Sequence, residues 1–310
     1  MADDFAAVAD LVANTLDISS AEVTDLLEEA PLVRRLPVIP SSNGEQHKYV
    51  KLTQNPVTGF RAENAGRAFD HSVDTLVTID LKIIDFSWGV DKAVADSWMK
   101  GPQDYIAREG LRHLRSALFK IEKQVLNGTV SPGDSDGFSG FASDAALNAP
   151  ADAMVTDDGG TGSDVMSVYL CRVGPDDVSL VMRGDTPIQL GETIVQDWNV
   201  ASNQHLPMYY TPATAWVGLQ LGSAQSVARL ANIEAATTAL DDDKMYDLIK
   251  LFPSERQPNL FVMNRTALAS IRKNRTATSP SGAPAARPTD IDGIEIIVTD
   301  GLSETEAAIS

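Results

Sequence analysis

The chain has 310 residues, 43% of them apolar and 22% charged, which suffices for one large domain or two to three smaller ones. No run reaches about eighteen apolar residues, so no membrane-spanning helix is expected. The start, MADDFAAVADLVANTLD, is acidic and lacks the basic region of a signal peptide. A net charge of −18 argues against indiscriminate binding to nucleic acid, and the single Cys171 excludes an internal disulfide.

The charge is unevenly spread. Residues 1–36 carry eight acids against Arg34 and Arg35, a net of −6. Residues 255–287 carry six cations against Glu255, a net of +5. Residues 1–30 read as two helical pieces: a stripe of Phe5, Val8, Leu11, Val12 and Leu16, then AEVTDLLEEA, capped by Ser20 and stopped before Pro31. Such an acidic arm has too little apolar surface to fold alone and must pack on something else.

Pro37, Pro40 and Ser41-Ser42-Asn43-Gly44 mark a boundary. His47–Leu52 reads as a strand, followed by a turn at 55–59 and an irregular tip, FRAENAGRAFD. Val73, Thr75, Val77, Ile79, Leu81 and Ile83 then alternate with a second set of residues, the clearest strand signal in the chain. Residues 45–86 are therefore expected to form a long hairpin with no helix of their own to cover it. A two-stranded ribbon is marginal in water, and its open edges invite pairing with another chain.

Asp91 is placed to cap a short helix reaching Trp98. A long helix is expected from Pro102 to Asn127, with Gly128 as its φ > 0 stop. Ala107, Leu111, Leu114, Leu118, Ile121 and Val125 recur at steps of three and four, which predicts a buried seam. Arg108, Glu109, Arg112, Arg115, Lys120, Glu122 and Lys123 fall on the opposite positions. Beyond a glycine-rich loop, strands are expected at 166–173, 178–182, 259–264 and 294–298, with further strand and turn segments through 208–233. Helices are expected at 266–273 and after Asp241, where Met245, Leu248, Ile249 and Phe252 make an apolar stripe. Residues 274–293, rich in Pro, Ala, Ser and Thr, form a long loop without a pattern.

Motifs for chemistry are weak. Gly137-Phe138-Ser139-Gly140-Phe141 approaches a nucleophile elbow but lacks the last glycine and a matching histidine. Asp134-Ser135-Asp136-Gly137 lacks the later ligands of a calcium loop. Gly159-Gly160-Thr161-Gly162 lacks the lysine of a phosphate loop. His47, His71, His113 and His205 have no zinc spacing, so neither a metal nor a cofactor is expected.

The order of elements is more informative. An acidic arm precedes a long hairpin, Val90-Asp91-Lys92, a long helix ending Leu126-Asn127-Gly128-Thr129, and the 137–141 loop. Farther on come Trp216–Leu219, Ala228–Ile233, Leu260–Arg265, Asp292–Ile296 and Thr299-Asp300. In this order the chain resembles the major capsid proteins of tailed bacteriophages, which share the α+β HK97 shell fold. The resemblance implies an N-terminal arm at 1–36 and an E-loop hairpin at 37–90. It further implies a peripheral (P) domain at 91–235, whose spine helix is 102–127, and an axial (A) domain at 236–310. Phe60, Arg61, Glu63, Asn64 and Arg67 at the hairpin tip are the expected contacts with a neighbouring subunit, and Leu111, Leu114, Leu118, Ile121 and Val125 the expected core of the spine. The implied function is self-assembly into hexamers and pentamers of an icosahedral head enclosing double-stranded DNA. The implied partners are other copies, a portal, scaffolding or decoration proteins, and weakly held DNA; synthesis takes place in the host cytoplasm and the destination is the virion. Two alternatives are an encapsulin-type compartment and a soluble hydrolase using Ser139 or Asp241–Asp243.

Overall fold

The computed structural model describes residues 29–310 apart from 185–186, 202–203, 235–239 and 278–283. The helices expected within 1–30 lie outside the described residues except for Glu29 and Ala30, which are not helical, and part of the 274–293 loop lies outside them too. Strands β1 (Val38–Pro40), β2 (Gln46–Gln54), β3 (Val73–Asp80), β4 (Lys82–Asp85) and β5 (Trp88–Asp91) lead into helices α1 (Lys92–Asp96) and α2 (Pro102–Asn127). Then come β6 (Val155–Asp157), β7 (Val165–Cys171), β8 (Val178–Met182), β9 (Ile188–Leu190), β10 (Ile194–Ala201), β11 (Gln204–Thr211), β12 (Ala213–Leu221) and β13 (Val227–Glu234). Helix α3 (Asp242–Ile249), β14 (Leu260–Met263), α4 (Arg265–Ala277), β15 (Asp290–Ile291) and β16 (Ile294–Val298) follow.

The core is a six-stranded sheet in the order β15-β16-β14-β7-β13-β6. Every residue of β7, VMSVYLC, is buried, as a strand covered on both faces requires. Cys171 lies there as an inert thiol whose pKa burial pushes up. Parallel strands β14 and β16 flank α4 in the sequence, since a parallel pair needs a long connection. Asp241 accepts the Lys244 N–H at 3.0 Å and so caps α3, whose Met245 and Leu248 are buried as the stripe predicts.

The position expected to divide the two later parts, 236, lies between strands of this one sheet. Strand β14, from beyond that point, pairs with β7, so the sheet draws strands from both sides of it. Backbone hydrogen bonding, rather than chain order, decides which strands share a core. The range 37–90 is likewise divided. β1 pairs with β8, β4 with β12 and β5 with β11, leaving only β2 and β3 as a free-standing pair. The strand expected through Ile83 breaks at the buried Leu81, where the chain passes from the hairpin to the five-stranded sheet.

Helix α2 spans the predicted residues, with Asp91 capping α1 and Gly128 at φ 60 ending α2. Its buried stripe, however, sits one residue away from the expected seam. Ile106, Gly110, Ala117, Ile121 and Gln124 face inward, while Ala107 and Leu111 are exposed and Leu114 and Leu118 are half-buried. Of the five expected core residues, Ile121 and Val125 are buried and Leu111 is 58% exposed. The cause is Trp88, which presses on the helix: a Cβ at Gly110 would lie 2.7 Å from its ring. That contact turns the neighbouring leucines outward. Glu122, expected on the solvent side, is fully buried.

The glycine-rich loop folds back over the end of α2. Gln124 donates to the carbonyls of Phe138 at 2.6 Å and Asp134 at 3.1 Å, and it accepts the Asp134 N–H at 2.9 Å. Gly140 approaches so closely that a Cβ would lie 2.2 Å from the Gln124 carbonyl oxygen. This wrap accounts for the glycines that suggested a nucleophile elbow.

Candidate assembly surface

Strands β2 and β3 pair antiparallel over eight positions, with Tyr49 opposite Val77 and Val50 opposite Leu76. One face rests on the body at its root. Tyr49 donates its hydroxyl to the Leu221 carbonyl at 2.8 Å, and burial, followed by the charge of Asp144, raises its pKa. Ile79 sits over Gly218, where an added Cβ would come within 3.2 Å of it. The other face, with Val50, Leu52 and Leu76, is exposed. Three apolar side chains on one face of a ribbon, flanked by Lys48, Asp74 and Thr78, are costly to leave in water.

The tip, 55–72, is exposed at every residue. Phe60 and Phe69 are fully exposed. The tip is nonetheless shaped by its own bonds. Arg67 donates to the carbonyls of Val57 and Gly59, Arg61 to that of Ala65 at 3.2 Å, and Asp70 accepts the Val57 N–H at 3.1 Å. Asn64 takes φ 58 in a turn closed by the Ala65 N–H on the Ala62 carbonyl at 3.2 Å; Glu63 is exposed beside it. The two arginines were expected to grip a neighbour's carboxylate. Within the subunit they hold the tip together, and a guanidinium with five donors retains others for a partner.

Two further exposed apolar regions accompany the hairpin. One is the outward stripe of α2 around Leu111. The other is Ile188, Leu190, Ile194, Val195 and Trp198 on β9 and β10. Strand β10 ends the three-stranded sheet β10-β11-β5 and has an open edge. Sequence reading missed this last region because TIVQDWNV puts apolar residues on both faces and shows no two-residue period. Phe69 was also missed, although the tip FRAENAGRAFD is bracketed by phenylalanines.

The residues singled out for chemistry serve the fold. Ser139 shares a 3.0 Å hydrogen bond with Ser143, and Asp242 pairs with Arg275 at 2.7 Å. Among the described residues no three His, Cys, Asp or Glu side chains are grouped to hold a metal ion, and no helix is long and apolar enough to cross a membrane.

The folded body leaves apolar side chains exposed on the ribbon, at Leu111 of α2 and on β9 and β10. Comparison with known proteins gives the class. The model of the family Major capsid protein GP7 matches residues 17–310, and the chain belongs to that family. Its fold is similar to that of a chain in the near-atomic structure of bacteriophage epsilon15, with a TM-score of 0.70 at 17% identity over 100% of this chain and 98% of that one. The capsid of bacteriophage JBD30 aligns with a TM-score of 0.53 at 15% identity over 94% and 97% of the two chains. No curated protein matches. The chain is therefore a structural capsid shell protein with the HK97-like α+β fold, and its place is the virion capsid.

Proposed function

We propose that copies of this chain associate as hexamers and pentamers and close into an icosahedral head around double-stranded DNA. The carrying observation is the hairpin's apolar face, whose Val50, Leu52 and Leu76 are exposed among the described residues. In this reading the hairpin of one copy lies on the next, where the exposed Leu111 and the half-buried Leu114 and Leu118 offer an apolar strip. Phe60, Arg61, Glu63, Asn64 and Arg67 make the contacts at its end. Residues 1–36 act as an arm, 91–235 as the peripheral part and 236–310 as the axial part, the last two sharing one sheet. The head is made in the host cytoplasm. It takes a portal at one vertex, with scaffolding or decoration proteins where the shell needs them. A net charge of −18 keeps contact with DNA weak and non-specific.

The test is electron microscopy of the purified chain together with analysis of what the particles enclose. Closed shells that co-purify with nucleic acid are expected. Small oligomers alone would overturn the shell reading, and shells filled with an enzyme would replace the head by a storage compartment.

A further inference from the structure

Glu122 is fully buried in α2 and meets donors from two distant parts of the chain. Oε2 accepts the backbone N–H of Leu32 at 2.9 Å and of Val33 at 3.2 Å. Oε1 accepts from the Thr299 hydroxyl, whose oxygen takes the Gly301 N–H at 3.0 Å. Leu32 and Val33 begin a single turn closed by the Leu36 N–H on the Leu32 carbonyl at 3.1 Å. Glu122 thus supplies in trans the acceptor that a turn's first N–H groups require. Leu32 and Leu36 pack into the main core, so this turn roots the N-terminal end of the described chain in the body.

The charged groups on the packed elements leave the carboxylate poorly compensated. On the root, Arg35 is engaged by Glu295, and Arg34 attracts Glu122 without forming an ion pair. On the C-terminal side, Asp300 is held by Arg265 at 2.6 Å. On α2, Lys120 pairs with Asp134 at 2.9 Å, and Lys123 lies over the Phe119 ring.

We propose that Glu122 is a proton-operated clasp between the spine helix and the root of the N-terminal segment, tightest in mild acid and looser at neutral pH. Burial raises the carboxyl's pKa, and the bonds from Thr299, Val33 and Leu32 with the charge of Arg34 offset only part of this. Opening the root admits water and returns the group to its ordinary value. The closed form therefore holds a proton more tightly than the open form. Closing is favoured fully below the ordinary carboxylate value, and the advantage is lost as pH rises through the raised one.

The test is amide hydrogen exchange on the intact, unassembled chain at about pH 5 and about pH 8, corrected for intrinsic rates. Protection at Leu32 and Val33 should be higher at the lower pH. Glu122→Gln keeps an acceptor for the root and a donor for Thr299 but cannot ionise, so its protection should not vary with pH. Wild-type protection that is flat, or greater at the higher pH, overturns the proposal. So does a variant that keeps the wild-type dependence. Should the variant fail to fold, the wild-type profile decides alone.

Discussion

Strand β7 and the β2–β3 hairpin draw on similar residues and meet opposite surroundings. VMSVYLC is buried at all seven positions between strands on either side and packed layers above and below. The hairpin's KYVKLTQ and VDTLVTID are held to the body at the root through Tyr49 and Ile79, and among the described strands β2 and β3 form ladders with each other alone. A fully buried Val, Leu or Ile side chain contributes roughly 1.5–3 kcal/mol, and the exposed Val50, Leu52 and Leu76 forgo this within the subunit. The comparison teaches that the two regions answer to different equilibria. β7 stabilises the fold, whereas in the proposed assembly the hairpin is stabilised by association.

The largest effect expected on the fold side is at β14. Phe261 is fully buried in the main core, and Phe261→Ala should cost about 3–5 kcal/mol in the unassembled subunit, read from denaturant unfolding. A loss under about 1 kcal/mol would mean that the sheet is not the common core.

A smaller loss is expected at the wrap over α2. Gly140→Ala places a methyl group against the Gln124 carbonyl and should cost about 1–3 kcal/mol by thermal unfolding. An unchanged melting temperature would show that the loop can shift away from the helix.

The smallest effect on folding sharpens the contrast. Leu111 is exposed, so Leu111→Ala should change subunit stability by no more than about 0.5 kcal/mol while lowering the yield of particles in sedimentation. Marked destabilisation of the free subunit would return the leucine stripe to the core.

Much of the fold was legible because its signals are local. The length of α2, the caps at Asp91 and Asp241, and strands β7, β8, β14 and β16 follow from periodicity and from residues that start or stop an element. The phase of the buried stripe on α2 was not legible. Two stripes one residue apart both carry apolar residues, and Trp88, distant in sequence, chooses between them at Gly110. Glu122 was read as solvent-facing because helical position alone does not reveal that Leu32, Val33 and Thr299 converge on it. At the tip, the inward use of Arg61 and Arg67 depends on backbone carbonyls that no side-chain pattern records.

The central claim is that the hairpin joins subunits and contributes little to the fold of its own. Replacing Phe60, Arg61 and Arg67 together by alanine tests it most directly, with circular dichroism and electron microscopy on the same preparation. The account predicts a near-native spectrum and melting curve with loss of closed particles. Full-yield particles that withstand high salt would contradict it and place the joining surface elsewhere on the subunit.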